Sequence, residues 1–385
     1  MARSTYFSSS ARIRRFLEHY IEDVRPSAAR LVSELFAGML AGGSSLLSEI
    51  ARRIEDETTL PHREKRLSRA LGRPGWWQDA VRGCLLHHGA GQVRRDDLIA
   101  VDISDLAKPY ARRLQYLDLV HDGSRKTIVP GYWLYEAWHI GRDGQPLPLQ
   151  LFAYSTREPE FVSENREWLN GLWPLMRALG GKGILLVDRG ADRWKLMKEL
   201  LEYPQRWIIR QRGDRHLVGP DGVKKRAVEW ARELLGTGNR AGVMRVCLPK
   251  SRVPLWLVAS PPRKGQRKPF MLLCRVSWQM NMAARALRAY RARWRAEDAI
   301  RATKQGLGLE KFLVRSMRRI DRLMAIALLV MRFVAELIFR GNKLVRHLIR
   351  RDARFQRQVK VYLSPVLTAV RRLLVPMAGW RWKPG

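Results

Sequence analysis

The chain has 385 residues, enough for two or three folded units, and 46% of them are hydrophobic, so it should fold. Its 72 Lys and Arg oppose 36 Asp and Glu, which gives a formal net charge of +36. This balance indicates a polyanionic partner. Nucleic acid is favoured over an acidic membrane surface, because no basic amphipathic anchor precedes the fold.

Neither a disulfide framework nor a membrane span is expected. Three scattered cysteines match no metal-binding spacing: Cys84, Cys247 and Cys274. The N-terminus lacks the apolar stretch of a signal peptide, and Arg332 and Glu336 interrupt the longest apolar run, near residues 323–339. We therefore expect reduced core thiols and a cytoplasmic protein without a membrane partner.

Residues 1–97 have a basic, helical pattern and are assigned to a helical DNA-binding domain. Apolar residues recur at helical spacing over 46–54 and again, in a basic segment, over 62–71. A pair of short helices with a basic second member fits either a DNA groove reader or a helical bundle with a solvated basic face. The turn between them carries no signature that separates the two.

From residue 98 the pattern changes to short apolar runs that alternate with helical spacing. Strands are predicted over 98–104, 132–140, 147–154 and 183–187, with helices over 164–179 and 192–201. Three consecutive strands followed by alternating helix and strand indicate an α/β fold with a mixed sheet, which fits an RNase H-like catalytic core. Residues 98–202 are the predicted first part of that core.

The remaining chain divides into three segments. Residues 203–280 contain four strand-like runs with Gly and Pro between them, typical of a β-rich insertion. Residues 281–340 are the predicted second part of the core, in which 320–339 form a long apolar helix against the sheet. Residues 341–385 are a basic tail with helical spacing, holding 11 Lys or Arg against one acid.

Four residues share one face of a single helix predicted over 290–304: Tyr290, Arg293, Glu297 and Lys304. A carboxylate among fixed cations can hold a divalent metal while its neighbours bind phosphate oxygens. Glu297 could instead form an i,i+4 pair with Arg293 or Arg301, worth under about 1 kcal/mol. Such a pair would not explain Tyr290 and Lys304 on the same face.

Two aspartates in strand settings complete a possible metal site. Asp102 lies in the strand predicted over 98–104, and Asp188 directly follows the buried run 183–187. Phosphodiester cleavage by two divalent ions roughly 3.5–4 Å apart needs carboxylates from separate elements. Asp102, Asp188 and Glu297 fit this need, although only the fold can bring them together.

These residues resemble the DDE transposases of bacterial insertion sequences, in the group with a Tyr-Arg-Glu-Lys signature. The resemblance rests on Tyr290 to Asp298 with Lys304, on Val101-Asp102, and on the run from Val187 to Arg193. It covers about residues 98–340. The four-residue signature together with two strand-end acids is specific, whereas each acid alone is weak.

The resemblance implies a cut-and-paste enzyme that uses Mg²⁺, with Mn²⁺ as the alternative ion, held by Asp102, Asp188 and Glu297. Tyr290, Arg293 and Lys304 would grip phosphates near the cleaved end. The DNA partners would be the terminal inverted repeats of the element and a target duplex. Two copies of the protein are expected to act together, because two ends must be joined.

Related enzymes pass through a hairpin intermediate in which a flipped base stacks on an aromatic residue of the insertion, often Trp. Phe270 lies at the matching place here, with Trp256 as the reserve candidate. Alternatively, Phe270 belongs to the core of the insertion.

Two other functions compete with transposition. One is a metal-dependent nuclease on the same fold that cuts without joining. The other is a non-catalytic DNA-binding repressor or transposition inhibitor, which the complete set of three acids disfavours.

Overall fold

The computed structural model describes residues 2–123, 125–236, 238, 240–262, 265–339 and 363–374. The helices of this part of the chain are α1 (Ala2–Ile21), α2 (Pro26–Gly42), α3 (Leu47–Arg52), α4 (Leu60–Gly72), α5 (Trp77–Gly91), α6 (Glu164–Leu179), α7 (Trp194–Glu202), α8 (Ala227–Leu235), α9 (Met282–Arg291), α10 (Trp294–Gly306), α11 (Met317–Phe339) and α12 (Leu363–Leu374). The strands are β1 (Leu98–Ala107), β2 (Asp118–Asp122), β3 (Thr127–Ile140), β4 (Pro146–Tyr154), β5 (Ile184–Val187), β6 (Arg206–Arg210), β7 (His216–Val218), β8 (Lys224–Arg226), β9 (Gly242–Val246), β10 (Leu255–Ser260) and β11 (Phe270–Cys274).

A mixed sheet forms the centre of the molecule. Within the described residues it has nine strands in the order β2–β3–β1–β5–β6–β11–β10–β9, and β4 also pairs with β3. Strands β1, β3 and β4 pair antiparallel, while β1, β5 and β6 pair in parallel. The prediction of an α/β fold with an RNase H-like core is confirmed.

The strands predicted for residues 203–280 extend the same sheet. Strand β11 pairs antiparallel with β6, and β10 and β9 continue outward from it. The segment also contains the small hairpin β7–β8 and helix α8, which packs on the sheet beside β10. It therefore adds to the edge of the catalytic sheet through continuous strand pairing.

Helices cover both faces of the sheet, as the apolar strands require. On one face α6, α7 and α8 bury residues such as Leu172 and Trp207. On the other face α11 is buried along most of its length and shares one hydrophobic cluster with helices α1 to α5. The N-terminal helices thus pack directly on the catalytic core.

A buried arginine of α11 connects this helix to the N-terminal helices through hydrogen bonds. Arg322 is fully buried, and its guanidinium donates hydrogen bonds to the carbonyls of Leu71, Arg73 and Gly75 and to the side chain of Gln78. These carbonyls end α4 and lead into α5. The basic helix α4 is consequently one member of a bundle.

The prediction of a single helix over 290–304 is wrong, because the helix is interrupted between α9 and α10. Backbone N–H groups of Ala292 and Arg293 donate to the carbonyls of Ala289 and Tyr290, three residues back, which tightens the backbone into a turn. Tyr290 therefore lies in the last turn of one helix, whereas Glu297 and Lys304 lie on the next.

Within the described residues, no helix is both long enough and apolar enough to span a membrane. The predicted basic tail lies largely outside the described residues, at 340–362 and 375–385. Its described part, α12, packs against α2, α10 and α11.

Candidate active site

Parallel pairing of β1 and β5 brings the two predicted aspartates together. The register of the pair runs from Leu98 opposite Ile184 to Val101 opposite Val187. Asp102 is the next residue of β1, and Asp188 directly follows β5. Neighbouring strands lie about 4.8 Å apart. The sheet thus places the two aspartates next to each other at the C-terminal end of β5.

Asp188 is held in place by the turn that follows β5. Its Oδ1 accepts the backbone N–H of Gly190 at 2.6 Å and caps the 3₁₀ turn Arg189–Ala191. A Cβ atom at position 190 would lie 2.8 Å from the same Oδ1, so the glycine allows this close approach. The turn fixes one carboxylate oxygen and leaves the rest of the group to face the site.

Glu297 enters from the first turn of α10. Ala296, Ala299 and Ile300 on the same helix are buried in the cluster between α11 and the sheet. These contacts press α10 onto the sheet near β1. The side chain of Glu297 is still 26% exposed, so its carboxylate can meet a substrate.

Arg293 joins two of the three acids. Its Nη1 lies 2.9 Å from Oδ2 of Asp102, and its Nη2 donates to Oε1 of Glu297. The arginine is buried, whereas Asp102 keeps 22% of its side chain exposed. One guanidinium therefore sits between a strand carboxylate and a helix carboxylate.

Electrostatics show that all three acids share one environment. Burial raises the pKa of Asp102 to about 6; the Arg293 guanidinium opposes this shift, and the carboxylates of Asp188 and Glu297 add to it. Three carboxylates thus act on one another around a single cation. Such a cluster favours a further positive charge.

The donor set fits a hard divalent cation, although the acids are not gathered at coordination distance. Among the described residues, no three acidic, His or Cys side chains form a ready metal cluster. Asp102, Asp188 and Glu297 nevertheless supply only carboxylate oxygens, the ligands that Mg²⁺ and Mn²⁺ prefer. In this structure the Arg293 guanidinium supplies the positive charge between two of them.

Tyr290 lies deeper than its sequence pattern indicates. It is 3% exposed, and its hydroxyl has no hydrogen-bond partner among the described residues. Burial raises its pKa to about 12, so the hydroxyl keeps its proton. A neutral donor without a partner lies beside Arg293, whose guanidinium carbon is 5.8 Å from the centre of its ring.

Lys304 faces acids of the protein. Its Nζ lies 3.6 Å from Oδ1 of Asp105, and its charge also acts on the fully buried Glu136. Glu136 pairs directly across from Asp102 on β3 and accepts hydrogen bonds from the side chains of Ser104 and Trp138. Sequence reasoning missed Glu136, although a lone acid within the apolar run of β3 was a visible signal.

Phe270 belongs to the core. It is 5% exposed, its ring packs edge-on against Tyr290 at 5.6 Å, and the guanidinium of Arg210 lies over it at 5.1 Å. A base cannot stack on this ring as it stands, which favours the core interpretation over a DNA contact. Trp256, the reserve candidate, is partly buried against the same cluster.

A basic cleft opens beside Asp188. It has a volume of about 670 Å³ and is bordered by the end of β5, the end of β6 and the turn before β11. Its cations are Arg189, Arg210, Arg212, Arg267 and Lys268, and Asp188 is its acid. We call it the Asp188 cleft. Its charge suits a phosphate chain leading to the carboxylates.

Comparison with protein families decides the class of this site. Residues 160–333 match the family model described as "Transposase DDE domain". This part of the chain is similar to a transposase DDE domain. The matched range includes Asp188, Tyr290, Arg293, Glu297 and Lys304, while Asp102 precedes it. The prediction of a DDE transposase, an enzyme that cleaves DNA and transfers strands, is confirmed at this level.

A solved structure supports the fold of this transposase. The chain resembles a piggyBac transposase in a cryo-EM structure of its synaptic complex with hairpin DNA, at a TM-score of 0.50 and 12% sequence identity. The similarity covers 94% of this chain and 77% of that chain. A search of curated proteins gives no match.

Proposed function

We propose that this transposase works by cut-and-paste at the ends of a bacterial insertion sequence and belongs to the group with the Tyr-Arg-Glu-Lys signature. One observation carries the proposal. Arg293 of the signature bridges Asp102 and Glu297, within electrostatic reach of Asp188. The signature and the three acids thus form one site.

Asp102, Asp188 and Glu297 would hold Mg²⁺ or Mn²⁺, which when bound stabilises charge on the phosphate and activates the attacking hydroxyl. The protein contributes position. The sheet fixes the two aspartates, α10 fixes Glu297, and the turn at Gly190 orients Asp188. Since phosphoryl transfer needs little covalent chemistry from the protein, such positioning is a large part of its contribution.

The Asp188 cleft would guide the DNA strand to the acids. Arg210 and Arg212 follow β6 on one side, and Arg267 and Lys268 lie on the other. The hydroxyl of Tyr290 is buried beside Arg293, so it would donate to a phosphate oxygen only if DNA binding exposes it. Arg293 can exchange its bond to a carboxylate for a phosphate, because both accept the same planar fork.

The proposed reaction cuts at the terminal inverted repeats, passes through a hairpin at the element end and joins the 3′ ends to target DNA. Two copies would hold the two ends in one complex, in the cytoplasm. Light scattering of the protein bound to both ends tests this assembly. A mass with two chains is expected, and one chain per complex would contradict it.

Cleavage of a plasmid that carries both element ends in Mg²⁺ tests the reaction path. Excised DNA with hairpin ends, detected on a denaturing gel, is the expected product. Open ends with no joined product at any stage would favour the alternative of a metal-dependent nuclease. Binding of the ends without any cutting would favour a transposition inhibitor.

A further inference from the structure

A second basic groove lies beside the turn between α9 and α10, the turn that contains Arg293. Its volume is about 690 Å³, and it is bordered by the exposed side of α9, the start of α10 and the turn between β3 and β4. The start of β1, at Leu98, forms its floor. Leu98 lies four residues before Asp102, which is roughly 13 Å along the strand. We call this second groove the α9 groove.

Arginines line the groove along one side of α9. Arg285, Arg288 and Arg291 recur every three residues and are exposed. Arg288 and Arg291 form no ion pair with any described residue, while the guanidinium of Arg285 lies over the ring of Trp278 at 4.9 Å. Arg142 faces them from the turn after β3, and its side chain is exposed.

Two of the three acids of the groove are paired with cations outside it: Asp96 with Arg206 at 2.7 Å and Asp298 with Arg301 at 3.5 Å. The third, Asp97, lies 3.0 Å from His139 Nε2 and 4.0 Å from Arg142, which is not on α9. These acids therefore leave the row of arginines on α9 uncompensated. The groove keeps a positive field that attracts a polyanion.

Trp294 adds an aromatic surface to the groove. It begins α10 directly after Arg293 and is 53% exposed. Neighbouring Arg and Trp side chains, open to solvent along a narrow groove, match the pattern that binds unpaired nucleotides: cations follow the backbone and an aromatic ring stacks a base.

We propose that the α9 groove binds a single-stranded DNA segment, with its phosphates on Arg285, Arg288 and Arg291 and a base stacked on Trp294. The site is separate from the Asp188 cleft and from the carboxylates. It therefore goes beyond the proposed reaction: it gives the protein a second hold on DNA, for a strand that has left its duplex.

The test is fluorescence anisotropy of the full-length protein with a labelled oligothymidine in EDTA, where no cleavage occurs. The variant R285A/R288A/R291A is compared with R177A/R232A/R245A, which removes equal charge from exposed arginines outside both grooves. We expect the α9 variant to bind about tenfold or more weakly, and its log–log salt dependence to lose a slope of about 2, since each single-strand phosphate contact contributes about 0.7. The control variant should lose less than about threefold. Equal losses in both variants would overturn the proposal.

The base contact has its own test. Trp294→Ala should weaken binding of oligothymidine about fivefold or more, and Trp294→Phe should restore most of it, because stacking tolerates any aromatic ring. On an oligomer with abasic sites, Trp294→Ala and the wild type should bind alike. If Trp294→Ala weakens both oligomers equally, the stacking assignment fails. Because EDTA abolishes cutting, these results stand whether or not strand transfer occurs.

Discussion

The guanidinium of Arg293 lies 2.9 Å from the carboxylate of Asp102, a contact between residues 191 positions apart. It joins the turn between α9 and α10 to strand β1 of the central sheet. Since the same guanidinium also binds Glu297, one side chain holds acids from β1 and α10 in a common site. It provides positive charge where three carboxylates would otherwise repel one another.

Replacing Arg293 by Gln should lower stability and increase the stabilising effect of a divalent ion. The change leaves Asp102 and Glu297 without their shared cation, at a cost of about 2 kcal/mol for a partly buried pair. Mg²⁺ or Mn²⁺ should then raise the melting temperature more in the variant than in the wild type. Differential scanning fluorimetry with the ion or with EDTA measures both effects.

Arg301→Gln is the matched control for that experiment, because Arg301 forms an exposed pair with Asp298 at 3.5 Å. It should change neither the stability nor the response to metal. If Arg293→Gln behaves like this control, the guanidinium does not neutralise the cluster.

Glu136 should make the protein less stable at high pH. Burial raises its pKa from 4.5 to about 7, against which the charge of Lys304 acts. Between these values the folded chain binds more protons than the unfolded chain, so stability falls as the pH rises through this window. Above it, the buried charge costs about 3 kcal/mol.

Glu136→Gln removes this charge and keeps an acceptor for Trp138. We expect a higher melting temperature than the wild type at about pH 8 and a much smaller difference near pH 5. Thermal unfolding followed by circular dichroism at both pH values measures the difference. A gain that is equal at the two values would show that Glu136 is not charged in the folded protein.

Phe270 should behave as a core residue. Phe270→Ala should lower the free energy of unfolding by about 3–5 kcal/mol, whereas Phe270→Leu should cost less because it leaves a smaller cavity. The leucine variant should also retain hairpin formation, since the buried ring receives no base. Urea denaturation and the plasmid cleavage assay provide the two readouts. A leucine variant that is stable but makes no hairpin would contradict this assignment.

The main features of the central sheet could be predicted from the sequence. The run ending at Asp188 and the strand that holds Asp102 were recognisable because buried parallel strands are continuous apolar runs. That these two strands pair in parallel and place both aspartates at neighbouring positions is known only from the fold. The family match includes Asp188 and Glu297; the roles of the site residues stay predictions.

Other features depend on tertiary contacts that no local pattern encodes. The break after Arg291 has no Gly or Pro to mark it, so the periodicity favoured one helix. Burial of Phe270 depends on Tyr290 and Arg210, which come from distant elements. Likewise, no local pattern shows that β11 pairs with β6. The sequence therefore could not distinguish a separate insertion from strands added to the same sheet.

Strand transfer in vitro tests the central claim most directly. A pre-cut element end with a free 3′ hydroxyl is incubated with a target plasmid and Mg²⁺, using the wild type, Glu297→Gln and the exposed control Glu55→Gln. The wild type and Glu55→Gln should join the end to the plasmid, while Glu297→Gln should bind the end without joining it. Equal joining by Glu297→Gln, or no joining by any of the three, would contradict the account.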